Sequence, residues 1–245
     1  MISIIIPYFK TEKYIKNCIK SVLSQTYKYW EVIIIDDENS PQSRKLLSKF
    51  KSKKIRVIKN KFNIGVARSR NKGIKFAKGK YISFLDSDDS WHKDKLKKQI
   101  NFINKYKVKA VYNSYIAFSK KKFLYKVASS KILNFNELMK ANPICCSSIM
   151  ISTKILLKNK FRNLKTKEDY ELWLRISKKH NIYPIKNYLT YYEVRENSLS
   201  SYQLNKIFNA YKIFKNYNNY KVFTSVYFVT RLYINAIIKK FFSKK

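Results

Sequence analysis

Residues 81–91 read YISFLDSDDSW, in which a short apolar run leads directly into three closely spaced acids. The run at 81–85 is short and rich in β-forming residues, which is typical of a buried strand in a parallel sheet. Further strands are predicted at 3–7, 31–35, 55–58 and 110–118. Helical spacing of apolar residues predicts helices at 12–25, 43–50, 66–77, 96–106 and 167–179. This alternation predicts an α/β fold whose mostly parallel central sheet is flanked by helices.

The composition is that of a folded and strongly basic chain. Its 245 residues can bury a full core, and 45% of them are hydrophobic, which is too many for a disordered chain. Lys and Arg number 53 against 15 Asp and Glu, so the formal net charge is +38. A field this strong attracts any polyanion, including nucleic acid, anionic lipid and phosphorylated substrates. Charge alone therefore identifies no partner, and the sequence holds no recognisable nucleic-acid-binding module.

The few acidic residues are grouped. Nine of the fifteen fall at 36–38, at 86–89 and at 168–171. Crowded carboxylates raise one another's pKa unless positive charge compensates them. The first two groups directly follow apolar strands, and the carboxyl ends of parallel strands form the ligand crevice of an open sheet. These acids are therefore candidates for a ligand site.

Asp86 and Asp88 form an Asp-x-Asp pair directly after a predicted strand. Such a pair can offer hard oxygens to Mn²⁺ or Mg²⁺ while diphosphate oxygens take the remaining positions on the metal. A metal held in this way neutralises a departing nucleoside diphosphate. The alternative is a solvated turn that caps a helix beginning near Trp91, since Asp and Ser are favoured there.

The three glycines, Gly65, Gly73 and Gly79, all lie shortly before this strand. Glycine is needed where φ is positive or where the backbone comes close to a partner. We therefore expect strict geometry in this segment. Ordinary turn usage is the alternative, and it would be enough to account for Gly79.

The three cysteines, Cys18, Cys145 and Cys146, are odd in number and two are adjacent. This spacing fits neither a disulfide framework nor a Cys-x-x-Cys metal pair, and it favours a reducing compartment. The first residues contain neither a basic leader nor a small-residue cleavage site, so no signal peptide is predicted. We expect a cytoplasmic protein.

Five motifs in order along the chain resemble those of family 2 glycosyltransferases, which have the GT-A fold. They are SIIIP at 3–7, EVIIIDD at 31–37, NxGxARxxNxG at 63–73, YISFLDSDDxW at 81–91 and EDYELWLR at 168–175. The resemblance covers roughly residues 1–200. It implies a domain at 1–200, with a nucleotide-sugar-binding half at 1–118 and an acceptor-binding half at 119–200, followed by a helical extension at 201–245.

The resemblance also implies roles for particular residues. Pro7, Phe9 and Asp37 resemble the base and ribose contacts of the nucleotide pocket, with Asp36 beside them and Arg68 at its border. Asp86 and Asp88 resemble the metal-binding pair, with Asp88 as the direct ligand of Mn²⁺ or Mg²⁺ and Asp86 also close to the nucleotide sugar. Asp169 matches the general base of inverting members. Arg195 precedes a late Ser-x-Ser segment, at 198–200, and its guanidinium suits diphosphate oxygens.

The sequence around Asp169 supports an inward orientation independently. Leu172, Trp173 and Ile176 follow it at three, four and seven residues and share its helical face. The alternative is helix capping, with Thr166 three residues before it and a carboxylate favoured by the helix dipole.

The C-terminal part of the chain is basic and aromatic. Residues 197–245 contain nine Lys or Arg and no acid, and the stretch 222–238 is strongly apolar around Arg231. This stretch is too interrupted for a membrane-spanning helix. Two interpretations stay open: a helix lying on an anionic membrane surface, and a helix packed over the core.

The resemblance implies an inverting enzyme that moves a sugar from a nucleotide-diphosphosugar donor to an acceptor hydroxyl, in bacterial cell-surface polysaccharide or lipopolysaccharide synthesis. The acceptor would be a glycan or a lipid-linked sugar at the inner face of the cytoplasmic membrane. One rival hypothesis is a non-catalytic protein that binds nucleic acid or anionic membrane through its charge. Another is a nucleotidyltransferase, against which the lack of a glycine-rich phosphate loop near residue 1 argues.

Overall fold

The computed structural model describes residues 1–195 and 203–242. Its strands are β1 (Ile2–Tyr8), β2 (Trp30–Asp36), β3 (Ile55–Lys59), β4 (Tyr81–Phe84), β5 (Ser90–Trp91), β6 (Ala110–Ser119), β7 (Lys122–Val127), β8 (Ile149–Ser152) and β9 (Tyr183–Glu193). Its helices are α1 (Glu12–Leu23), α2 (Pro41–Ser48), α3 (Val66–Phe76), α4 (Lys95–Tyr106), α5 (Phe135–Lys140), α6 (Thr153–Lys158), α7 (Glu168–Ser177), α8 (Gln203–Lys212) and α9 (Val222–Phe242). A short 3-10 turn, Cys146–Ser148, precedes β8.

In the described residues the strands form one sheet with the order β3-β2-β1-β4-β8-β6-β9-β5, and β7 pairs with β6 outside this order. The first four strands run parallel, as do β6 and β9. Strand β8 is antiparallel to both of its neighbours, β4 and β6. The predicted α/β fold with a mostly parallel sheet is therefore confirmed.

Helices cover both faces of the sheet, and β1 shows how the sequence produces this arrangement. Its side chains alternate between the two faces, as strand geometry requires. Ile4 and Ile6 pack with α1 and α4, whereas Ile5 packs with α3 and α7. Because β1 is buried on both sides, its sequence is apolar at most positions instead of alternating.

Trp91 lies in a strand and does not begin a helix. Its backbone pairs with Thr190 of β9, and its indole Nε1 donates to the carbonyl of Ser147 at 2.8 Å. Helix α4 begins only at Lys95. The alternative in which the acids at 86–89 cap a helix near Trp91 is therefore wrong, because the residues that follow them pair in the sheet.

Two glycines confirm the strict geometry expected before β4. Gly65 has a φ of +85° and precedes the first residue of α3. At Gly79 a Cβ atom would lie 2.6 Å from the backbone nitrogen of Ser3, so a larger residue does not fit. The Gly79 amide donates to Ser3 Oγ at 2.8 Å, and that hydroxyl donates to Glu31 at 2.7 Å. Close approach to β1, and not ordinary turn usage, explains Gly79.

The C-terminal helices pack on the α/β body with one face. Ala210 and Phe214, from α8 and the turn after it, and Val229 and Leu232 of α9 belong to the same buried cluster as Trp173 of α7. The packing interpretation is therefore correct for this face of the extension.

The other face of α9 is apolar and exposed to solvent. It carries Phe223, which is 89% exposed, together with Val226, Tyr227, Ile234 and Ile237, each at least half exposed. We call these five residues the exposed α9 face. A helix that is apolar all round is normally buried on all sides, so this face is unusual for a protein in water. Among the described residues, no helix combines the length and apolar character needed to cross a bilayer.

Candidate active site

The carboxyl ends of β1, β2 and β4 meet at one edge of the sheet. Phe9 follows β1, Asp37 follows β2, and Asp86 lies two residues after β4. The sheet therefore brings together three of the segments whose residues are predicted to bind the nucleotide sugar, as the parallel arrangement requires.

Asp36 is a structural acid. Its Oδ1 accepts from the amides of Glu38 and Asn39, at 3.2 and 2.9 Å, and its Oδ2 accepts from Ser43 Oγ at 3.0 Å. The side chain is buried, and both oxygens are used inside the protein. Asp36 thus shapes the loop between β2 and α2.

Asp37 fixes the loop that leads into α3. Its Oδ1 accepts from Asn60 Nδ2 and from the amide of Ile64, at 2.7 and 2.8 Å, and its Oδ2 accepts from the amide of Gly65 at 2.9 Å. Only 3% of the residue is exposed. In this state the carboxylate is occupied by the loop 60–65.

The remaining residues predicted for the nucleotide pocket differ in their exposure. Pro7 is buried within β1, whereas Phe9 is 41% exposed just beyond the strand. The Lys10 ammonium lies 5.4 Å from the centre of the Phe9 ring. Arg68 is exposed on the first turn of α3. Phe9 and Arg68 are therefore accessible to a ligand, whereas Pro7 and the Asp37 carboxylate are covered.

Arg70 connects the acids after β4 to those at the start of α7. Its guanidinium lies 2.6 Å from Asp86 Oδ1 and 2.6 Å from Glu168 Oε1, and only 4% of the side chain is exposed. Sequence reasoning missed this residue and selected the exposed Arg68. Helical spacing indicates that Arg70 is buried, because it shares one face of α3 with Ala67 and Ile74.

Asp88 pairs with Arg195. Arg195 Nε lies 2.6 Å from Asp88 Oδ2, so the late arginine reaches the predicted metal site. Burial and the neighbouring Asp86 raise the pKa of Asp88 to about 6, although Arg195 opposes the shift. The segment 198–200 that follows Arg195 lies outside the described residues. The expected compensation of crowded acids by positive charge is thus provided by two arginines, one for each acid of the pair.

Asp89 and Ser147 hold the acidic loop in place. Ser147 Oγ donates to Asp89 Oδ2 and accepts from the amide of Asp86 at 3.0 Å, while Asp89 Oδ1 accepts from the amide of Glu193 at 2.9 Å. Burial, with Asp88 and Asp86 nearby, raises the pKa of Asp89 well above its usual value. The third acid of the group is therefore a scaffold residue.

Asp169 lies in the first turn of α7, one residue after Glu168. The predicted inward stripe is present, because Leu172, Trp173 and Ile176 are all buried. Burial is the main cause that raises the pKa of Asp169 above its usual value, and Asp86 adds to it against the effect of Arg70. A carboxylate with a raised pKa is a stronger base near neutral pH.

The capping interpretation of this turn holds only in part, because Asp169 lies in the first turn and accepts from a first-turn amide, whereas Thr166 is not the cap. Helix α7 begins at Glu168, and Lys167 precedes it without a capping hydrogen bond from its side chain. Thr166 Oγ1, the predicted cap, instead accepts from Asn209 Nδ2 of α8 at 2.9 Å. Asp169 Oδ1 accepts only from the amide of the next residue, Tyr170, at 2.7 Å in the part of the chain that is described.

The side chains of the acidic loop suit a divalent cation only when a substrate supplies further ligands. Among the described residues, no group of three or more His, Cys, Asp and Glu side chains is arranged to hold a metal ion by itself. Two carboxylates with hard oxygens nevertheless suit Mg²⁺ or Mn²⁺ when substrate phosphates supply further ligands. Asp86 and Asp88 therefore fit a cation that binds together with a diphosphate, and they do not form a closed protein cage.

These features together are those of a glycosyltransferase of the GT-A fold, and comparisons with known proteins agree. Residues 3–164 match the family described as Glycosyl transferase family 2. A glucosyltransferase from Escherichia coli, WfgD, is 32% identical over 209 residues, which cover 84% of this chain and 82% of that protein. Its full description is UDP-Glc:alpha-D-GlcNAc-diphosphoundecaprenol beta-1,3-glucosyltransferase. The chain belongs to glycosyltransferase family 2.

A second relative supports the family, and a solved structure supports the fold. TuaG of Bacillus subtilis, a putative teichuronic acid biosynthesis glycosyltransferase, is 32% identical over 209 residues and 82% of each chain. The crystal structure of S. aureus TarS 1-349 in complex with UDP-GlcNAc superposes with a TM-score of 0.71 at 19% identity, covering 93% of this chain and 70% of that one. The structural likeness supports the GT-A fold.

Proposed function

We propose that this enzyme transfers a sugar from a nucleotide-diphosphosugar donor to an acceptor hydroxyl with inversion at the anomeric carbon. The observation that carries the proposal is the contact of Arg70 with both Asp86 and Glu168, at 2.6 Å each. This contact ties the predicted diphosphate site to the helix turn that bears Asp169. One arginine thereby holds the donor site and the base close together, as direct displacement of the diphosphate by the acceptor hydroxyl requires.

In this mechanism Asp169 accepts the proton of the acceptor hydroxyl while the hydroxyl oxygen forms a bond to the anomeric carbon. The bond between that carbon and the diphosphate oxygen breaks, and the nucleoside diphosphate leaves. Asp88 and Asp86 would hold Mn²⁺ or Mg²⁺, which would offset the negative charge of the leaving group. Arg195 lies beside Asp88 and can contribute a guanidinium to the same diphosphate.

The nucleotide end of the donor is assigned to the edge of the sheet near Phe9. Phe9 and Arg68 are accessible and can stack on a base or contact it directly. Pro7, Asp36 and Asp37 would form the floor of the pocket. Asp37 would reach the nucleotide only if its bonds to the loop 60–65 were rearranged, so its contribution is to the shape of that loop.

The acceptor is proposed to be a lipid-linked or glycan hydroxyl in bacterial cell-surface polysaccharide synthesis. Support comes from WfgD, whose description specifies a diphosphoundecaprenol-linked acceptor, and from TuaG in teichuronic acid biosynthesis. The exposed α9 face would rest on an anionic membrane that carries such an acceptor. All three cysteines are free thiols, which supports the cytoplasmic side of that membrane.

The domain division follows the same logic. Residues 1–118 would bind the donor, and residues 119–200 would bind the acceptor through the region that includes α7. Residues 201–245 would connect the acceptor-binding half to the membrane. The boundary at residue 200 lies outside the described residues.

The decisive experiment is a screen of nucleoside-diphosphate sugars for Mn²⁺-dependent hydrolysis and transfer. We expect turnover of one donor that is lost with a chelator, and loss of metal-dependent donor binding in Asp88→Asn. The matched control is Asp94→Asn, because Asp94 pairs with Thr26 and His92 at the surface, outside the acidic loop. Salt-resistant nucleic-acid binding without nucleotide-sugar binding would support the polyanion-binding rival, and release of diphosphate from a nucleoside triphosphate would support a nucleotidyltransferase.

A further inference from the structure

Lys167 is held in an uncommon position immediately before α7. Its φ is +61°, a left-handed conformation that residues other than glycine rarely adopt. Its ammonium lies 5.2 Å from the centre of the Tyr233 ring of α9 and 5.9 Å from that of the Tyr170 ring. The C-terminal helix and α7 therefore both contact this lysine.

The charge of Lys167 has no acidic partner at salt-bridge distance among the described residues. Burial lowers its pKa to about 8, and Lys206 adds to the shift while Asp169 opposes it. Tyr233 carries an unsatisfied group, since its hydroxyl is buried without a hydrogen-bond partner in the described structure. A partly buried cation and a buried hydroxyl without partners are both costly unless a ligand completes them.

The position of this pair relates the base to the membrane-facing helix. Lys167 precedes Asp169 by two residues and is near enough for the two charges to interact, and Asp169 is the group that would receive the proton of the acceptor hydroxyl. Tyr233 is on α9, which is also fixed to the body by a bond from Asn235 Nδ2 to the carbonyl of Lys140 at 2.8 Å. Lys167 thus lies between the base and the helix that carries the exposed α9 face.

We propose that Lys167, supported by Tyr233, binds a phosphate group of the acceptor. This inference rests on the proposed function and specifies its substrate class, namely a sugar whose anomeric oxygen bears a phosphate or diphosphate. In such an acceptor the phosphate is attached to the same ring as the reacting hydroxyl, and the lipid lies beyond the phosphate. The reacting hydroxyl would then lie at Asp169, the phosphate at Lys167 and the lipid at the exposed α9 face.

A structural role for Lys167 is the competing explanation. Its ammonium could serve only to contact the two tyrosine rings, since a cation over an aromatic face is stabilising. It could also act only on the ionisation of Asp169. Neither role would make the enzyme distinguish a phosphorylated ligand from a neutral one with the same chain.

The test compares ligands that differ in the phosphate. Binding of an alkyl diphosphate and of an alkyl glycoside with the same chain would be measured by calorimetry in the presence of Mn²⁺ and UDP. The variant is Lys167→Asn, because asparagine tolerates positive φ and removes the charge. The matched control is Lys165→Asn, two residues earlier and exposed, and Lys167→Arg restores the charge.

We expect Lys167→Asn to weaken alkyl diphosphate binding by roughly 10- to 100-fold, the range of one charge-assisted hydrogen bond. Binding of the alkyl glycoside should not change, Lys165→Asn should bind as the wild type does, and Lys167→Arg should recover most of the affinity. Unchanged diphosphate binding in Lys167→Asn, or equal losses for both ligands, would overturn the assignment.

The same measurements separate this inference from the proposed function. If the enzyme turns over a donor but Lys167→Asn still binds the alkyl diphosphate normally, only the phosphate site is contradicted. A wild-type protein that binds the alkyl diphosphate through Lys167, yet neither hydrolyses nor transfers from any donor, would instead contradict the transferase mechanism.

Discussion

Arg195 Nε lies 2.6 Å from Oδ2 of Asp88, so the predicted metal ligand is already neutralised by a protein cation. A divalent ion that approaches Asp88 must compete with this guanidinium. A diphosphate that arrives with the ion offers Arg195 a replacement partner of the same charge type. The pair therefore links metal binding to donor binding.

Arg195→Ala should change the two affinities in opposite directions. Mn²⁺ alone should bind about tenfold tighter, because it no longer competes with Arg195 for Asp88. A competing interaction of about 1.4 kcal/mol corresponds to a tenfold change in the dissociation constant. UDP at saturating Mn²⁺ should bind roughly tenfold or more weakly, because a charge-assisted hydrogen bond to the diphosphate is lost. Calorimetry on the variant and on Arg231→Ala, a control on α9, measures both. Weaker binding of Mn²⁺ alone would show that Arg195 only supports the fold of the loop.

Asp169→Asn should separate catalysis from binding. The variant keeps the size of the side chain but removes the basic carboxylate, so transfer should fall by roughly 10² to 10⁴, the usual contribution of general base catalysis. Donor affinity and melting temperature should stay near those of the wild type. Glu137→Gln is the control, since Glu137 pairs with Lys140 at the surface. Normal transfer per folded molecule in Asp169→Asn would remove the base from the mechanism.

Arg70→Met should destabilise the fold strongly. The side chain is 4% exposed, and its removal leaves Asp86 and Glu168 without their partner, which costs about 3–5 kcal/mol for a buried pair. Arg56→Met provides the comparison, because Arg56 also pairs with a glutamate, Glu31, but is 38% exposed. That variant should lose about 1 kcal/mol or less. Urea unfolding measures both values, and equal losses would contradict the central role of Arg70.

Phe223→Ser combined with Ile237→Ser should weaken membrane association roughly tenfold or more, because burial of such a side chain contributes about 1.5–3 kcal/mol. Sedimentation with anionic and neutral vesicles, at low and high salt, is the measurement. Ile132→Ser is the matched control, since Ile132 is 49% exposed on a loop of the body. If the double variant binds membranes as well as the wild type does, or if the wild type binds anionic and neutral vesicles equally, the exposed α9 face does not mediate association with anionic membranes.

The parallel half of the fold could be predicted because its signals are local. Strands β1, β2 and β4 are predominantly apolar, and the amphipathic spacing in α1 and α3 identifies the buried faces of these helices. Between residues 119 and 166 the sequence pattern predicts no helix or strand. There the antiparallel strand β8 enters the sheet between β4 and β6, and short strands with non-local partners carry little periodic signal.

The sequence identifies the acidic residues of the site, but it does not show which of them are available to a ligand and which are bonded within the protein. Asp36 ends a strand and Asp37 follows it, much as Asp86 follows β4, yet hydrogen bonds from Ser43, Asn60 and backbone amides occupy their oxygens. Those donors come from segments whose approach depends on the folded loop. Arg70 could have been found from its helical face, whereas the reach of Arg195 to Asp88 spans more than a hundred residues of sequence and has no local pattern.

The close approach of Gly79 to β1 also sets the register of β4. Side chains of a strand alternate between faces, so a slip of one residue between β1 and β4 would turn every side chain of β4 to the opposite side. The bond from the Gly79 amide to Ser3 Oγ, and the bond from the Lys78 amide to Glu31 at 2.7 Å, fix the chain just before β4 begins. The direction in which Asp86 points is therefore decided at the opposite end of the strand from the acidic loop, by Lys78 and Gly79.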